Sequence, residues 1–316
     1  MRYINLFVIV LFISIVNIHA QDSAFASSTS IELQTSSGTI YGTLLVPTNI
    51  HTKIPVALII AGSGPTDRDG NNPVMKNNSL KLLAESLANK GIASIRYDKR
   101  GVGASKQAAK SESNLKFDDY IQDAVGWIDL IKQENLFSKI IIIGHSEGSL
   151  IGMNAAKEAN GFISLSGAGN SADFILKDQL SVQGKQIQDM CFPIIDSLKA
   201  GKLVSNINPI LNSLFRESVQ PYMISWFKHN PQADLAQLNY PCLIVQGDND
   251  IQVSIKEAKL LAAVSDKHKL VIIEKMNHVL KTIDNRERAV NLAAYSNPTM
   301  PISLALTEAI VNYIKG

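Results

Sequence analysis

A five-residue pattern in the middle of the chain has the spacing of a turn that presents a nucleophilic serine: Gly144-His145-Ser146-Glu147-Gly148. A run of four isoleucines precedes the pattern, and a segment of helical character follows it. Such a strand-to-helix turn is strained, and only residues without a Cβ atom fit two positions before and two positions after the serine. The turn places the hydroxyl at the carboxyl edge of a sheet, where open α/β sheets bind ligands. The pattern predicts acyl-transfer chemistry with Ser146 as the nucleophile.

A serine hydroxyl needs a neighbouring base, and the best-placed candidate is His278. Where this turn is used, an acid and then a histidine follow the serine along the chain, each in a loop after a later strand. The apolar run 270–273 predicts such a strand, and His278 follows it. The remaining histidines lie before the sheet, beside the serine, in a helical stretch or at the wrong end of a strand: His19, His51, His145, His229 and His268. We expect His145 to point away from the nucleophile.

Two carboxylates compete for the role of the acid, because Asp248 and Asp250 share the loop after the predicted strand 241–246. Either side chain could accept a hydrogen bond from the far imidazole nitrogen and so fix the tautomer of the base. We favour Asp250 and assign Asp248 to its own turn, where aspartates often cap backbone amides. Both assignments remain open at this point.

The oxyanion formed during acyl transfer needs preorganised N–H donors, and two backbone amides are suitably placed. One is the amide of Glu147, directly after the nucleophile. The other is the amide of Ser63, in a glycine-rich loop (residues 62–65) after the apolar run 54–61. Glycines in that loop allow the backbone to approach a ligand closely. We therefore predict that Ser63 and Glu147 form the oxyanion hole.

The composition is that of a globular enzyme, with 46% hydrophobic and 18% charged residues. A formal net charge of +2 without a basic, aromatic-rich run gives no reason to expect nucleic acid or an anionic membrane as a partner. The segment Asp67-Arg68-Asp69-Gly70 misses the spacing of a calcium loop, and two cysteines are too few for a zinc cage. We therefore expect no metal and no cofactor. Cys191 and Cys242 are either buried thiols or a single disulfide.

The N-terminus predicts a secretory signal peptide over residues 1–20. Arg2 precedes an apolar run at positions 4–16, and Ala20 provides a small residue for cleavage. A membrane anchor is disfavoured because the run is shorter than the roughly 20 residues needed to span a bilayer. We therefore expect a secreted or periplasmic protein with no stable membrane insertion after cleavage.

Strands and helices alternate along the rest of the chain, after a predicted hairpin at positions 31–46. Short apolar runs separated by amphipathic segments predict a mostly parallel central sheet with helices on both faces. Residues from about 170 to 237 contain helical patterns and no convincing strand. The sequence thus predicts a single α/β domain over residues 21–316, with a helical insertion at about 170–237.

These motifs together resemble those of the α/β-hydrolase superfamily, over roughly residues 31–316. The likeness rests on the turn 144–148, the loops 62–71 and 247–253, and the segment 96–105. Within the superfamily, the chain is similar to bacterial esterases and acyl hydrolases near dienelactone hydrolase and the prolyl-oligopeptidase type. The resemblance implies a Ser146/Asp250/His278 triad and a lid formed by the insertion. Many such relatives have a histidine before the oxyanion glycine, where this chain has Ala61.

Taken together, the residues and the resemblance predict a serine hydrolase that cleaves carboxylic esters of small to medium acyl groups through an acyl-serine intermediate. A serine peptidase of the prolyl-oligopeptidase type would use the same residues, although such enzymes usually carry an additional N-terminal domain and only residues 1–30 precede the predicted sheet. A catalytically silent binding module is a further alternative. Silent versions typically lose the serine or the histidine, whereas Ser146 and His278 are both present here.

Overall fold

The computed structural model describes residues 25–109 and 111–316. The predicted signal peptide, residues 1–20, lies outside these ranges. No helix within them is long and apolar enough to cross a membrane.

Within the described residues, eight strands form a single sheet in the order β1-β2-β4-β3-β5-β6-β7-β8. In chain order they are Ala26–Thr35 (β1), Gly38–Pro47 (β2), Ile54–Ile60 (β3), Ala93–Tyr97 (β4), Phe137–His145 (β5), Gly161–Leu165 (β6), Leu243–Gly247 (β7) and Lys269–Ile273 (β8). The hairpin of β1 and β2 is antiparallel, and β2 is antiparallel to β4. All the other neighbouring pairs are parallel, which confirms the predicted sheet.

The α-helices lie between and beyond these strands. They are Ser79–Ala88 (α1), Phe117–Lys132 (α2), Glu147–Ala155 (α3), Ala172–Ser181 (α4), Lys185–Lys199 (α5), Asn212–Phe215 (α6), Gln220–Trp226 (α7), Pro231–Leu235 (α8), Ile255–Ala262 (α9), Arg288–Ala293 (α10) and Leu304–Lys315 (α11). Helices α1 and α11 pack on one face of the sheet, and α2, α3 and α9 pack on the other. The chain therefore has the α/β-hydrolase fold.

Strand β3 shows why the central strands are continuously apolar. Successive side chains of a strand point to opposite faces. Leu58 and Ile60 accordingly belong to the core under α2 and α3, whereas Ala57 and Ile59 belong to the core under α1 and α11. All four are almost completely inaccessible to solvent. Because helices cover both faces, no position along β3 favours a polar residue.

Residues 166–242 contain helices α4 to α8 and no strand in the described structure, as the sequence predicts for about 170–237. This helical insertion joins β6 to β7. Phe215 and Phe227 from the insertion are buried in the same hydrophobic core as Phe117 of α2. The insertion is thus packed against the body of the domain. Its residues Ala172, Ile175 and Trp226 line a cavity together with Ser146.

Candidate active site

Ser146 lies between β5 and α3 with φ 55° and ψ −120°, a conformation that is strained for a residue with a side chain. The flanking glycines are required by close packing. A Cβ atom on Gly144 would lie 2.2 Å from the Gly148 carbonyl oxygen, and one on Gly148 would lie 2.3 Å from that of Ile60. The structure therefore forms the strained turn that the sequence pattern predicts.

His278 and Asp250 are brought together from the loops after β8 and β7. The Nδ1 atom of His278 lies 2.8 Å from Oδ2 of Asp250, and both side chains are almost fully buried. Burial alone would raise the pKa of the Asp250 carboxyl. The charge of His278, its hydrogen bond, and the amides of Gln252 and Val253 outweigh burial and lower that pKa. Asp250 is thus held as a carboxylate beside the imidazole.

Asp248 lies in the same loop but has other partners. Its Oδ1 atom accepts a hydrogen bond of 2.5 Å from the Lys275 amide, and its Oδ2 atom pairs with Arg286 at 2.7 Å. Asp250, rather than Asp248, is therefore the carboxylate that contacts His278.

Ser146 and His278 line the same cavity. Among the hydrogen bonds of the described residues, none joins the Ser146 hydroxyl to the imidazole. Because Asp250 occupies Nδ1, the Nε2 atom is the one left to face the serine. In unliganded hydrolases this contact often shortens only when substrate binds.

The loop after β3 approaches the nucleophile closely. A Cβ atom on Gly62 would lie 3.2 Å from Cβ of Ser146, and the next residue, Ser63, lines the same cavities as Ser146. The Glu147 amide is at the first position of α3, where helix amides have no intrahelical acceptor. The two predicted oxyanion donors thus both lie beside Ser146, one in the residue that follows it and one in the loop after β3.

A buried ion pair that the sequence did not predict lies beneath these donors. The Lys99 ammonium is 2.9 Å from the Glu147 carboxylate and 2.6 Å from the Gly62 carbonyl oxygen. The Tyr222 hydroxyl of α7 donates to the other oxygen of Glu147 at 2.8 Å. Lys99 is 1% exposed. This network connects the loop after β3, the first residue of α3 and the helical insertion.

His145 lies beside His278, a contact that the sequence did not predict. Its Nε2 atom lies 2.8 Å from the carbonyl oxygen of His278, and the two rings are 4.9 Å apart. Burial, followed by the charge of His278, lowers the pKa of His145 from 6.5 to about 4. A neutral His145 therefore supports the loop that carries His278.

Two cavities in the described structure meet at Ser146, and Ser63 and Gln252 also line both. The first, of about 120 Å³, lies beneath the helical insertion and is also lined by Glu147. The second, of about 140 Å³, is also lined by His278. A substrate carbonyl at Ser146 would therefore have space on both sides.

Further observations concern residues outside the reacting centre. Cys191 and Cys242 are both buried and free, so they do not form the single disulfide considered above. Asp98 accepts hydrogen bonds from Arg68 and from the Ala104 amide, which ties down the loop after β4. In the two described ranges, no group of three or more His, Cys, Asp or Glu residues is arranged to hold a metal ion.

Comparisons with known proteins agree with this fold. The sequence model of the Hydrolase_4 family, described as serine aminopeptidase S33, matches residues 76–217, less than half of the chain. Esterase EstD of Thermotoga maritima is 23% identical over 241 residues, covering 72% of this chain and 54% of the relative. The chain thus spans about half the length of that curated relative.

Solved structures show the same fold at low sequence identity. Est1E from Butyrivibrio proteoclasticus, in its complex with ferulic acid, has a TM-score of 0.60 and 19% identity over 90% of this chain and 100% of that one. Dienelactone hydrolase from Anabaena variabilis has a TM-score of 0.51 and 16% identity over 86% of this chain and 96% of that one.

Proposed function

We propose that this chain, a member of the α/β-hydrolase superfamily, is a carboxylesterase that cleaves esters of small to medium acyl groups through an acyl-Ser146 intermediate. The observation that carries the proposal is the strained Ser146 turn in one cavity with the buried His278–Asp250 pair. The relative EstD of Thermotoga maritima is an esterase, which supports the choice of an ester substrate.

The reaction follows from the positions of these groups. His278 takes the proton of the Ser146 hydroxyl through Nε2 as the oxygen attacks the ester carbonyl carbon. The amides of Ser63 and Glu147 donate to the oxyanion. As the tetrahedral intermediate collapses, His278 gives the proton to the departing alcohol oxygen, leaving the acyl group on Ser146. Water, activated by the same imidazole, then releases the acid. Asp250 orients His278 and stabilises its protonated form.

The size of the cavity beneath the insertion supports a small to medium acyl group. At about 120 Å³ it is confined, and Leu150, Ile175 and Trp226 make much of its wall apolar. Helix α4 contributes Ile175, so residues 170–237 act as a lid over the acyl group.

A peptidase is the second candidate, because the matching family model is described as serine aminopeptidase S33. An aminopeptidase must neutralise the substrate's free ammonium group with an acidic side chain. Among the described residues lining the two cavities, Glu147 is the only acid, and its carboxylate is already bound by Lys99 and Tyr222. The lining therefore favours an ester over a peptide with a free N-terminus.

The deciding experiment compares 4-nitrophenyl butyrate with amino-acyl and prolyl 4-nitroanilides, using the mature chain. We expect kcat/KM for the ester to exceed that for every anilide, and Ser146→Ala to abolish ester hydrolysis. Faster cleavage of an anilide would support the peptidase.

We also propose export through the predicted signal peptide. N-terminal sequencing of protein recovered outside the cytoplasm should begin at residue 21, whereas an intact Met1 would contradict export with cleavage.

A further inference from the structure

The two cavities at Ser146 differ in the chemistry of their walls. The cavity beneath the insertion is lined largely by apolar side chains: Leu150, Ala172, Ile175, Leu176, Trp226 and Val253. The other cavity shares Ser63 and Gln252 with the first and has further hydroxyl and amide side chains that the first lacks: Thr66, Asn72, Asn77, Ser79 and Tyr295. An ester consists of an acyl half and an alcohol half, and each cavity can receive one of them.

The position of His278, the proposed general acid, determines which half each cavity receives. His278 must reach the alcohol oxygen to protonate it as the bond to the acyl carbon breaks. His278 lines the polar cavity and is not among the residues lining the apolar one. The alcohol half of the ester therefore leaves through the polar cavity, and the acyl half lies beneath the insertion.

The polar cavity contains hydrogen-bonding groups that the folded chain does not use. Ser79 is 2% exposed, and its hydroxyl has no hydrogen-bond partner among the residues that the structure describes. Asn72 accepts two backbone hydrogen bonds through Oδ1, which leaves its amide nitrogen free to donate. The Tyr295 hydroxyl accepts a hydrogen bond from Gln252 at 3.1 Å and keeps its own proton for donation. A hydroxyl that lines a cavity and makes no hydrogen bond within the described chain is available to a ligand as donor and acceptor.

We propose that this polar cavity, called the alcohol cavity below, binds an alcohol that carries several hydroxyl groups, such as glycerol or a sugar. The proposal rests on the proposed ester hydrolysis and specifies its substrate class. Hydroxyl groups both donate and accept, which matches the mixed donors and acceptors of Asn72, Ser79 and Tyr295. A plain alkyl alcohol would displace water from these groups and leave them unpaired, which lowers its rate of cleavage.

In this reaction the Ser146 oxygen forms a bond to the acyl carbon, and the bond from that carbon to the polyol oxygen breaks. The proton that His278 took from Ser146 passes to the polyol oxygen, so the polyol leaves as a neutral alcohol. Water then completes the hydrolysis, and no other co-reactant is needed.

The test compares glycerol 1-butyrate with propyl butyrate, which share an acyl group and a three-carbon alcohol chain and differ in two hydroxyl groups. Values of kcat/KM are corrected for the rates at which hydroxide cleaves the two esters. We expect the glycerol ester to be preferred by about tenfold. A ratio at or below one, with both esters cleaved, would overturn the polyol assignment and leave the esterase proposal intact. If neither ester were cleaved, the polyol assignment and the esterase proposal would both be overturned.

Variants locate the preference in the alcohol cavity. Ser79→Ala and Tyr295→Phe should each reduce the glycerol-to-propyl ratio by about twofold to tenfold, because each removes one hydrogen bond to the alcohol. Ser205→Ala, at an exposed serine that lines neither cavity, should keep the ratio of the unmodified enzyme. The use of two cavity variants keeps the test valid if one of them does not fold. An unchanged ratio in the folded cavity variants would contradict the proposal.

Discussion

The ammonium of Lys99 lies 2.9 Å from the carboxylate of Glu147, and their side chains are 1% and 3% exposed. The backbone amide of Glu147 is one proposed oxyanion donor, and Lys99 also binds the carbonyl of Gly62, next to the other donor, Ser63. A single ammonium group therefore contacts both segments that must surround the oxyanion. Desolvating two charges is costly, so the pair depends on its good geometry and on the additional hydrogen bond from Tyr222.

We expect Lys99→Met to lower both stability and turnover. Removing one partner of a buried pair leaves an uncompensated charge, which costs about 3–5 kcal/mol in the free energy of unfolding. Displacement of the oxyanion donors should reduce kcat by about tenfold to a hundredfold, with a smaller change in KM. Urea denaturation and ester kinetics measure the two effects.

Two further variants serve as controls for Lys99. The double variant Lys99→Met/Glu147→Gln should be less destabilised than Lys99→Met, because it buries no lone carboxylate. Lys185→Met removes an exposed pair with Asp189 and should change stability little. If Lys99→Met lowered the free energy of unfolding and kcat as little as Lys185→Met does, the Lys99–Glu147 network would have no role in positioning the oxyanion donors.

The two aspartates of the loop after β7 provide a matched test of the triad acid. Asp250→Asn should lower kcat by about 10⁴-fold, since an amide in this position favours the wrong imidazole tautomer. Asp248→Asn loosens contacts with Lys275 and Arg286 only and should retain most of the activity. Initial rates with 4-nitrophenyl butyrate distinguish them, and the reverse order of effects would assign the acid to Asp248.

Acyl-chain selection should respond to Ile175, which lines the apolar cavity from α4. Ile175→Ala enlarges the cavity and should shift the preferred ester toward longer chains, whereas Ile175→Trp should shift it toward acetate. Phe174→Ala is the control, because Phe174 precedes Ile175 on the same helix, is 46% exposed and does not line the cavity. A panel of 4-nitrophenyl esters from acetate to octanoate measures the shifts. If both Ile175 variants kept the acyl-chain preference of the unmodified protein, the acyl group would have to bind elsewhere.

The buried His145 predicts how stability depends on pH. Burial and the charge of His278 lower its pKa from 6.5 to about 4 in the folded protein. Between these values the unfolded chain binds a proton that the folded chain does not, so this stability is lost as pH falls from about 6.5 to about 4. The loss is on the order of 2 kcal/mol at pH 5.

His145→Gln keeps a donor for the His278 carbonyl and removes the titrating group. Its free energy of unfolding should therefore fall less than that of the unmodified protein between pH 7 and pH 5. Denaturation at intermediate pH values checks this. Identical pH dependence in the two proteins would show that His145 is not the group responsible.

Much of the fold follows from the sequence because short-range patterns specify it. The continuously apolar β3 and the amphipathic helices predict a parallel sheet covered on both faces, and the order of chain segments places Ser146 and His278 at its carboxyl edge. The turn motif also predicts the glycines on either side of Ser146. A Cβ atom on Gly144 or Gly148 would lie only 2.2–2.3 Å from a carbonyl oxygen.

The remaining features depend on side-chain directions and on contacts between distant segments. Asp248 and Asp250 are two positions apart, and only the path of their loop decides which one reaches His278. Glu147 is 48 positions from Lys99 and 75 from Tyr222, so no local pattern indicates their network. His145 is adjacent to the nucleophile in sequence, yet its contact with the His278 backbone depends on how β5 packs against the loop after β8.

Covalent labelling by a serine-directed reagent reports whether Ser146 is an activated nucleophile. The protein is incubated with a fluorophosphonate, digested, and analysed by mass spectrometry. We predict one adduct, on the peptide that contains Ser146, with simultaneous loss of esterase activity, and no adduct in Ser146→Ala. Labelling of the Ser146→Ala variant at the same rate, or no labelling of the active protein, would show that Ser146 is not the activated nucleophile.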